Sequence, residues 1–221
     1  MFHFLERNPF LFTVVLFITV AFAGIVEILP DFAKSSRPTA TTKPYTVLEL
    51  AGRHVYIKDS CNACHSQLIR PFKSETDRYG KYSVSGEYAY DRPFLWGSKR
   101  TGPDLRRIGN YRTTDWHENH MWDPASVVPG SIMPAYKHQF TNMADIDTAY
   151  AEALTVKNIF NTPYDAPGMP KLGTYEEAKA LALADAKLVA ADMKNADIKA
   201  AVAAGNIPEI VALIAYLNGL K

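Results

Sequence analysis

Ser60-Cys61-Asn62-Ala63-Cys64-His65-Ser66 is the stretch on which the reading of this chain turns. It contains C-x-x-C-H, the attachment signature of c-type haem. The spacing has a mechanical basis. On a helix, positions i and i+3 share a face, so both thiols can reach the two vinyl groups of one porphyrin. His65 follows directly and can offer an imidazole nitrogen to the iron from the same side. The competing readings of such a cysteine pair are a thioredoxin-like redox motif and half of a zinc site. The first needs a βαβ context and the second needs another C-x-x-C, and neither is present. The chain has only two cysteines in 221 residues, which excludes a disulfide scaffold. It also leaves no spare thiol to mispair in an oxidising compartment. The expectation is one covalent haem c, with Cys61 and Cys64 as thioethers and His65 as an axial iron ligand.

The flanking sequence places the motif on helices. Before it, Leu48, Ala51 and Val55 recur in a loosely helical pattern, with Gly52 and Tyr56 on a second stripe. Near the C-terminus, Asn206-Ile207-Pro208-Glu209 reads as a helix start, with Asn206 as cap and Glu209 at the capping-box position. Ile210, Leu213, Ile214, Leu217 and Leu220 follow at helical spacing. A helix carrying C-x-x-C-H near its end, plus an apolar C-terminal helix, resembles the class I cytochrome c fold, in which these two helices cross. The expected class is therefore mainly α.

A haem that transfers electrons needs a sixth ligand. Met133, in Ser131-Ile132-Met133-Pro134-Ala135, resembles the Met-Pro-Ala loop of class I cytochromes c. The neighbouring proline stiffens the loop and lowers the entropy of holding a weak thioether in place. Met169, in Gly168-Met169-Pro170, is the second candidate, and His117, His120 and His138 are the others. Thioether ligation favours reduced iron and implies a high-potential haem. Thr101-Gly102-Pro103-Asp104-Leu105 resembles the Gly-Pro-x-Leu element of the same class. In that class the proline carbonyl accepts a hydrogen bond from the proximal histidine, so Pro103 is expected to orient His65.

The N-terminus has a different character. Pro9 to Val26 is a run of 18 residues without a charge, roughly 27 Å as a helix and enough to cross the hydrocarbon core. Ala21-Phe22-Ala23 offers a signal-peptide cleavage pattern. The apolar sequence continues past it to Leu29, however, which favours an uncleaved anchor over residues 1–30. Residues 31–46, rich in Ser, Thr, Pro and Lys, read as a linker, and the haem domain as 47–221. Arg7 precedes the span while Lys34, Arg37 and Lys43 follow it, so loop charge points the wrong end inward. Haem attachment decides instead, because it occurs on the outer side of energy-converting membranes. The expected topology is single-pass in a bacterial inner membrane, with a cytoplasmic N-terminus and a periplasmic haem domain. A net charge of +1 argues against nucleic acid as a partner.

A small cytochrome c places Gly-Pro soon after the haem motif, whereas 37 residues separate His65 from Pro103 here. The insert, residues 66–100, is dense in Tyr, Arg, Phe and Trp. Its elements Ser66–Phe72, Glu75–Gly80 and Trp96–Leu105, with Asp115-Trp116-His117 and Met133–Tyr136, closely resemble the mono-haem subunit II of cbb3-type cytochrome c oxidases (the FixO/CcoO family). The anchor's Val26-Glu27-Ile28 matches as well. The resemblance implies an electron-transfer subunit without an oxygen-reducing site of its own. Its partners would be a di-haem cytochrome c subunit as donor, the catalytic haem–copper subunit as acceptor through haem b, and membrane lipid. The aromatic insert is then a docking surface on the catalytic subunit, or a self-packed loop over the haem edge. Arg70, Arg92 and Arg100 are candidates to neutralise haem propionates.

Residues 139–205 match the family pattern least. Asn142-x-x-Asp145 and Thr174-Tyr175-Glu176-Glu177 read as helix starts. Between Tyr175 and Ala204 there are 12 alanines, giving high helix propensity with little apolar bulk. The expectation is a peripheral helical excursion, with a contact site for a small accessory subunit as the lesser alternative. The rival function is a free-standing anchored cytochrome c that shuttles electrons between complexes, and the aromatic insert argues against it.

Overall fold

The computed structural model describes residues 2–32, 38–97 and 99–221. Residues 33–37 of the expected linker, with Lys34 and Arg37, and Ser98 of the insert lie outside the described residues. A short helix α1 (Phe2–Arg7) leads into α2 (Pro9–Phe32). Helix α2 runs past the uncharged stretch and past Glu27, because Ile28 and Leu29 continue the apolar sequence. Its segment Pro9–Pro30 is the one helix among the described residues long and apolar enough to cross a membrane, and none of that segment is buried. A helix so apolar and so little buried is suited to lipid.

The domain begins where a capping box starts a helix. Thr46 Oγ1 accepts from Glu49 N (3.2 Å) and Glu49 Oε2 from Thr46 N (2.7 Å), which satisfies two donors at the start of α3 (Val47–Lys58). The chain then forms α4 (Cys61–Cys64), α5 (Lys73–Tyr79), α6 (Thr114–Trp122), α7 (Pro124–Val127), α8 (Ile146–Phe160), α9 (Tyr175–Ala191), α10 (Ala196–Ala203) and α11 (Glu209–Gly219). Short 3₁₀ turns lie at Ser85–Tyr88, Ile108–Asn110 and Lys137–Phe140. Among the described residues the only β-type pairing is an isolated bridge between Met143 and Pro208.

Helix α11 is the centre of the core. Every residue from Glu209 to Leu217 is buried, so this is a helix surrounded on all sides rather than one with a single apolar face. Ile210, Leu213, Ile214 and Leu217 are each at most 2% exposed, and burying each contributes about 1.5–3 kcal/mol. Helices α3, α6 and α9 all pack on it. The α3–α11 crossing is close because position 52 is glycine. A β-carbon there would fall 1.9 Å from the carbonyl oxygen of Ala212. Tyr216 fills the adjoining space, its ring centroid 5.6 Å from that of Tyr45 and 5.5 Å from that of Tyr56.

Two expectations are corrected here. Asn206 does not cap the last helix. Glu209 N donates to Asn142 O (2.9 Å) and Ala144 N to Ile207 O (2.8 Å), so residues 206–208 are held extended against the 142–144 segment and the helix starts at Glu209. The alanine-rich stretch is also not peripheral. Ala178, Ala182, Ala186 and Ala190 form a buried stripe on the face of α9 that meets α3, α8 and α11. Met193, Ile198 and Val202 extend that buried surface. The small side chains permit close helix approach, which is the function that low bulk serves here. Thr174 caps α9 with Glu177, and Asp145 caps α8 by accepting from Thr148 N (2.9 Å).

The insert folds around three carboxylates, Asp104 and Glu75 buried and Glu87 half-buried. Asp104 accepts from Ser66 Oγ (2.6 Å), Leu68 N (2.8 Å) and Arg106 N (2.8 Å). Glu75 accepts from Arg70 and from Arg100 Nη2 (2.8 Å), and Glu87 from Arg106 and Arg107. The Arg53 guanidinium, on α3, donates to the carbonyls of Arg92 (2.7 Å) and Pro93. Thr39 N donates to Gly86 O (3.3 Å), attaching the chain after the anchor to the same insert. The inner side of the insert is therefore self-packed. Its outer side presents Phe94 and Trp96, stacked at 4.6 Å, together with Phe72.

Candidate haem site

The haem motif sits in a tight corner after α3. Asp59 closes that helix, Ser60 adopts the left-handed conformation (φ 57°), and α4 is a single turn carrying Cys61 and Cys64. The two cysteines are not bonded to each other. Cys61 faces inward, where burial pushes its thiol up to about 12, so it is a protonated thiol at neutral pH and a weak nucleophile unaided. His65 leaves the helix in extended backbone (φ −111°, ψ 128°), turning its ring away from the α4 axis.

That ring is held in one orientation. His65 Nδ1 lies 2.8 Å from the Pro103 carbonyl oxygen. A carbonyl only accepts, so Nδ1 carries the proton and Nε2 keeps a free lone pair. Gly102 N donates back to Cys64 O (2.9 Å) and Leu105 N to Ser66 O (2.8 Å), zipping the 102–105 segment alongside the motif. Gly102 lies flat beneath the imidazole. A β-carbon there would come 2.3 Å from His65 Cε1 and 2.7 Å from Nδ1. Burial pushes the His65 imidazole down, against the raising effects of the Pro103 carbonyl and of Asp104. The ring is therefore neutral at pH 7 and available to a metal.

The other walls come from α6 and the loop after α7. His117 and Met121 are buried on α6, with His120 half-buried beside them. Both ring nitrogens of His117 and Nδ1 of His120 are buried without a hydrogen-bond partner among the described residues. Burial pushes both imidazoles down to about 4, and His120 lies in electrostatic range of His65. Met133 is half-buried and packs against the core. Three residues on, Tyr136 N donates to Met121 O (2.8 Å), and its phenol, raised to about 12 chiefly by burial, lies in electrostatic range of Cys61 and Cys64. Met169 belongs to the turn between α8 and α9, which is organised around Asp165. The His138 ring is engaged by Asp59 Oδ2 (3.0 Å).

These residues fit a covalent haem. Two thiols lie one helical turn apart, an oriented neutral imidazole has a free nitrogen, and buried imidazole nitrogens have no partner among the described residues. The residues that would hold it are Cys61, Cys64 and His65, with Pro103 behind His65. Among the described residues no cluster of three or more His, Cys, Asp or Glu side chains forms a separate metal site. Of the candidate propionate partners, Arg70 and Arg100 are both engaged by Glu75, and Arg92 bonds to the carbonyls of Ala89 and Asp91. Sequence reasoning did not anticipate the roles of Gly102 and Asp104. The signal for the first was present in Gly102-Pro103, since a glycine one residue before the accepting carbonyl is where a ring must pass.

A mainly helical domain with an oriented C-x-x-C-H histidine, behind an apolar N-terminal helix that could cross a membrane, is consistent with an anchored protein carrying a cytochrome c-like domain. The family model described as cytochrome C oxidase, mono-heme subunit/FixO matches residues 2–221, and the chain belongs to that family. No curated protein sequence matches it. Membership makes it a subunit of a cytochrome c oxidase, associated with the other subunits of that assembly.

Proposed function

We propose that this chain is the electron-relay subunit of a cbb3-type haem–copper oxidase. It holds one covalent haem c, receives electrons from a di-haem cytochrome c subunit and delivers them to haem b of the catalytic subunit, where oxygen is reduced to water. The observation that carries the reading is the His65–Pro103 bond beside C-x-x-C-H, in a chain matched by the mono-haem oxidase subunit family from end to end of its described residues.

When bound, the haem supplies reversible one-electron iron chemistry. The chain's residues set its terms. Cys61 and Cys64 would hold the porphyrin covalently, and His65 would offer Nε2 to the iron while the Pro103 carbonyl holds its Nδ1 proton. Met133 would be the other iron-holding side chain, on a loop stiffened by Pro134 and tied to α6 through Tyr136. Helix α2 holds the domain at the outer face of the inner membrane, with the N-terminus in the cytoplasm, the side on which haem attachment takes place being the periplasm.

Purification from membranes in mild detergent tests the reading. The chain is expected to co-purify with haem b, copper and a di-haem cytochrome c. Its recovery as a haem c monomer without haem b or copper would sink it.

A further inference from the structure

We propose that the cleft between α5 and the Thr101–Pro103 segment binds a doubly charged oxyanion of the phosphate class, held by Arg70, Arg78 and Arg100. All three arginines line one cavity of about 370 Å³, room enough for phosphate or a small phosphate monoester. Their guanidiniums are gathered there by partners that do not neutralise them all. Glu75, buried on α5, accepts from Arg70 Nε and from Arg100 Nη2 (2.8 Å). The Tyr79 ring carries both Arg78 and Arg100, with guanidinium carbons 5.1 and 5.4 Å from its centroid. Arg100 also donates to Ser66 Oγ (2.7 Å) and Leu68 O (2.8 Å), so its head group is fixed before any ligand arrives.

The cleft is short of negative charge. Glu75 is the one carboxylate that lines it, and at neutral pH that group is already ionised, its carboxyl held down at about 2 chiefly by Arg100. Two other acids lie close by. Asp104 Oδ2 is 3.6 Å from Arg100 Nη2, but it is buried and accepts from Ser66 Oγ, Leu68 N and Arg106 N. Asp77 is paired with Lys73 at 2.8 Å. Arg78 is exposed, and beyond its contact with the Tyr79 ring it has no ion pair or hydrogen bond among the described residues. Three guanidiniums facing one carboxylate leave two positive charges over, and like charges held together favour an anion between them. The guanidinium fork matches the oxygens of phosphate. An excess of two suits a dianion, the form of a phosphate monoester above its second pKa of about 6, better than the single charge of a lipid phosphodiester or a carboxylate. Ser74 and Thr101 add hydroxyls to the lining, and Gly102 and Pro103 form part of the same wall. An occupant would therefore touch the segment that orients His65.

The test uses the full-length, haem-loaded protein in detergent, titrated calorimetrically with inorganic phosphate at pH 8 and fixed ionic strength. Acetate serves as the singly charged comparator. One saturable site with a Kd of about 1 mM or tighter is expected, with acetate roughly tenfold weaker or more. Arg78→Ala should weaken phosphate about tenfold, the size of one charge-assisted hydrogen bond, and Arg78→Glu should abolish binding. Lys81→Ala removes an exposed charge outside the cavity and should change the affinity by less than about twofold. Absence of saturable binding overturns the proposal. Equal weakening by Lys81→Ala and Arg78→Ala reduces the effect to a diffuse field and overturns it as well. Acetate binding as tightly as phosphate overturns the ligand class. Phosphate binding to haem-free protein alone would mean that the haem's own carboxylates fill the cleft, and it overturns a site for a diffusible anion. Should the Arg78 variants fail to load haem, the comparison of phosphate with acetate on the unmodified protein still decides.

Discussion

Gly102 shows how much depends on a missing side chain. The His65 ring lies against its α-carbon, so Gly102→Ala must push the imidazole off the Pro103 carbonyl or displace the 102–105 segment. The Pro103 bond makes the imidazole a better electron donor, which stabilises ferric iron. Its loss should therefore raise the midpoint of the bound haem by on the order of a few tens of millivolts, with the thioether links intact. A redox titration reads this, and an unchanged midpoint would separate the ring's orientation from its electronics. Met133→Ala should move the midpoint further and in the opposite direction, because a thioether favours ferrous iron. The motif Cys61–His65 was legible because its chemistry is local, spanning consecutive residues. The unpartnered nitrogens of His117 and His120 were not legible as such. Burial and hydrogen-bond satisfaction are properties of the folded surroundings, and Asp115-Trp116-His117 alone does not disclose them.

At the level of elements, the crossing of α3 and α11 is the most exacting contact. Gly52→Ala directs a methyl into the Ala212 carbonyl, which is rigid backbone, so the helices must separate. A cost of about 3 kcal/mol is expected from overpacking, visible as a lower midpoint in denaturant and weaker retention of compact structure. Ala186→Leu, on the buried stripe of α9, should cost about 1–3 kcal/mol by the same mechanism, whereas Leu188→Ala, on its exposed side, should be nearly silent. The insert adds a pH dependence. Arg100, hydrogen-bonded to Glu75, holds that carboxyl down at about 2 against an ordinary value of 4.5. A depressed acid contributes its full stability above 4.5 and loses it as pH falls toward 2. Acid titration followed by Trp96 fluorescence should show the insert loosening in that window, and Glu75→Gln should flatten the response. Helix starts such as Thr174 with Glu177 were readable because a capping box is a four-residue event. The start of α11 was misread because it is set by residues 142–144, more than sixty positions earlier in the chain. The alanine stripe was misjudged because burial was judged by apolar bulk, and close helix packing rewards its absence.

Taken whole, the molecule is one apolar helix followed by a helical domain built around α11. The class of fold was readable from two local signals, the uncharged run at Pro9–Val26 and C-x-x-C-H, each of which carries its own physics. The shape of residues 66–100 was not readable, since it depends on Asp104, Glu75 and Glu87 finding donors far along the chain. If the anchor and the domain are energetically separate, a protein beginning at residue 38 should leave the membrane fraction, load haem and keep the same spectrum. Soluble, haem-loaded protein with an altered midpoint would instead show that the membrane segment bears on the site.

The bond from Thr39 to Gly86 has a kinetic meaning. Helix α2 ends at Phe32, and the chain is fastened to the insert again at Thr39. The intervening peptide units reach roughly 25 Å at full extension. If α2 spans the membrane beside the other subunits, a domain joined to it over so few residues would meet a neighbouring redox centre at an effective concentration on the order of millimolar. Its approach to a partner would then need no three-dimensional search. Binding faces that would be too weak to hold two free proteins together are sufficient to keep electrons moving.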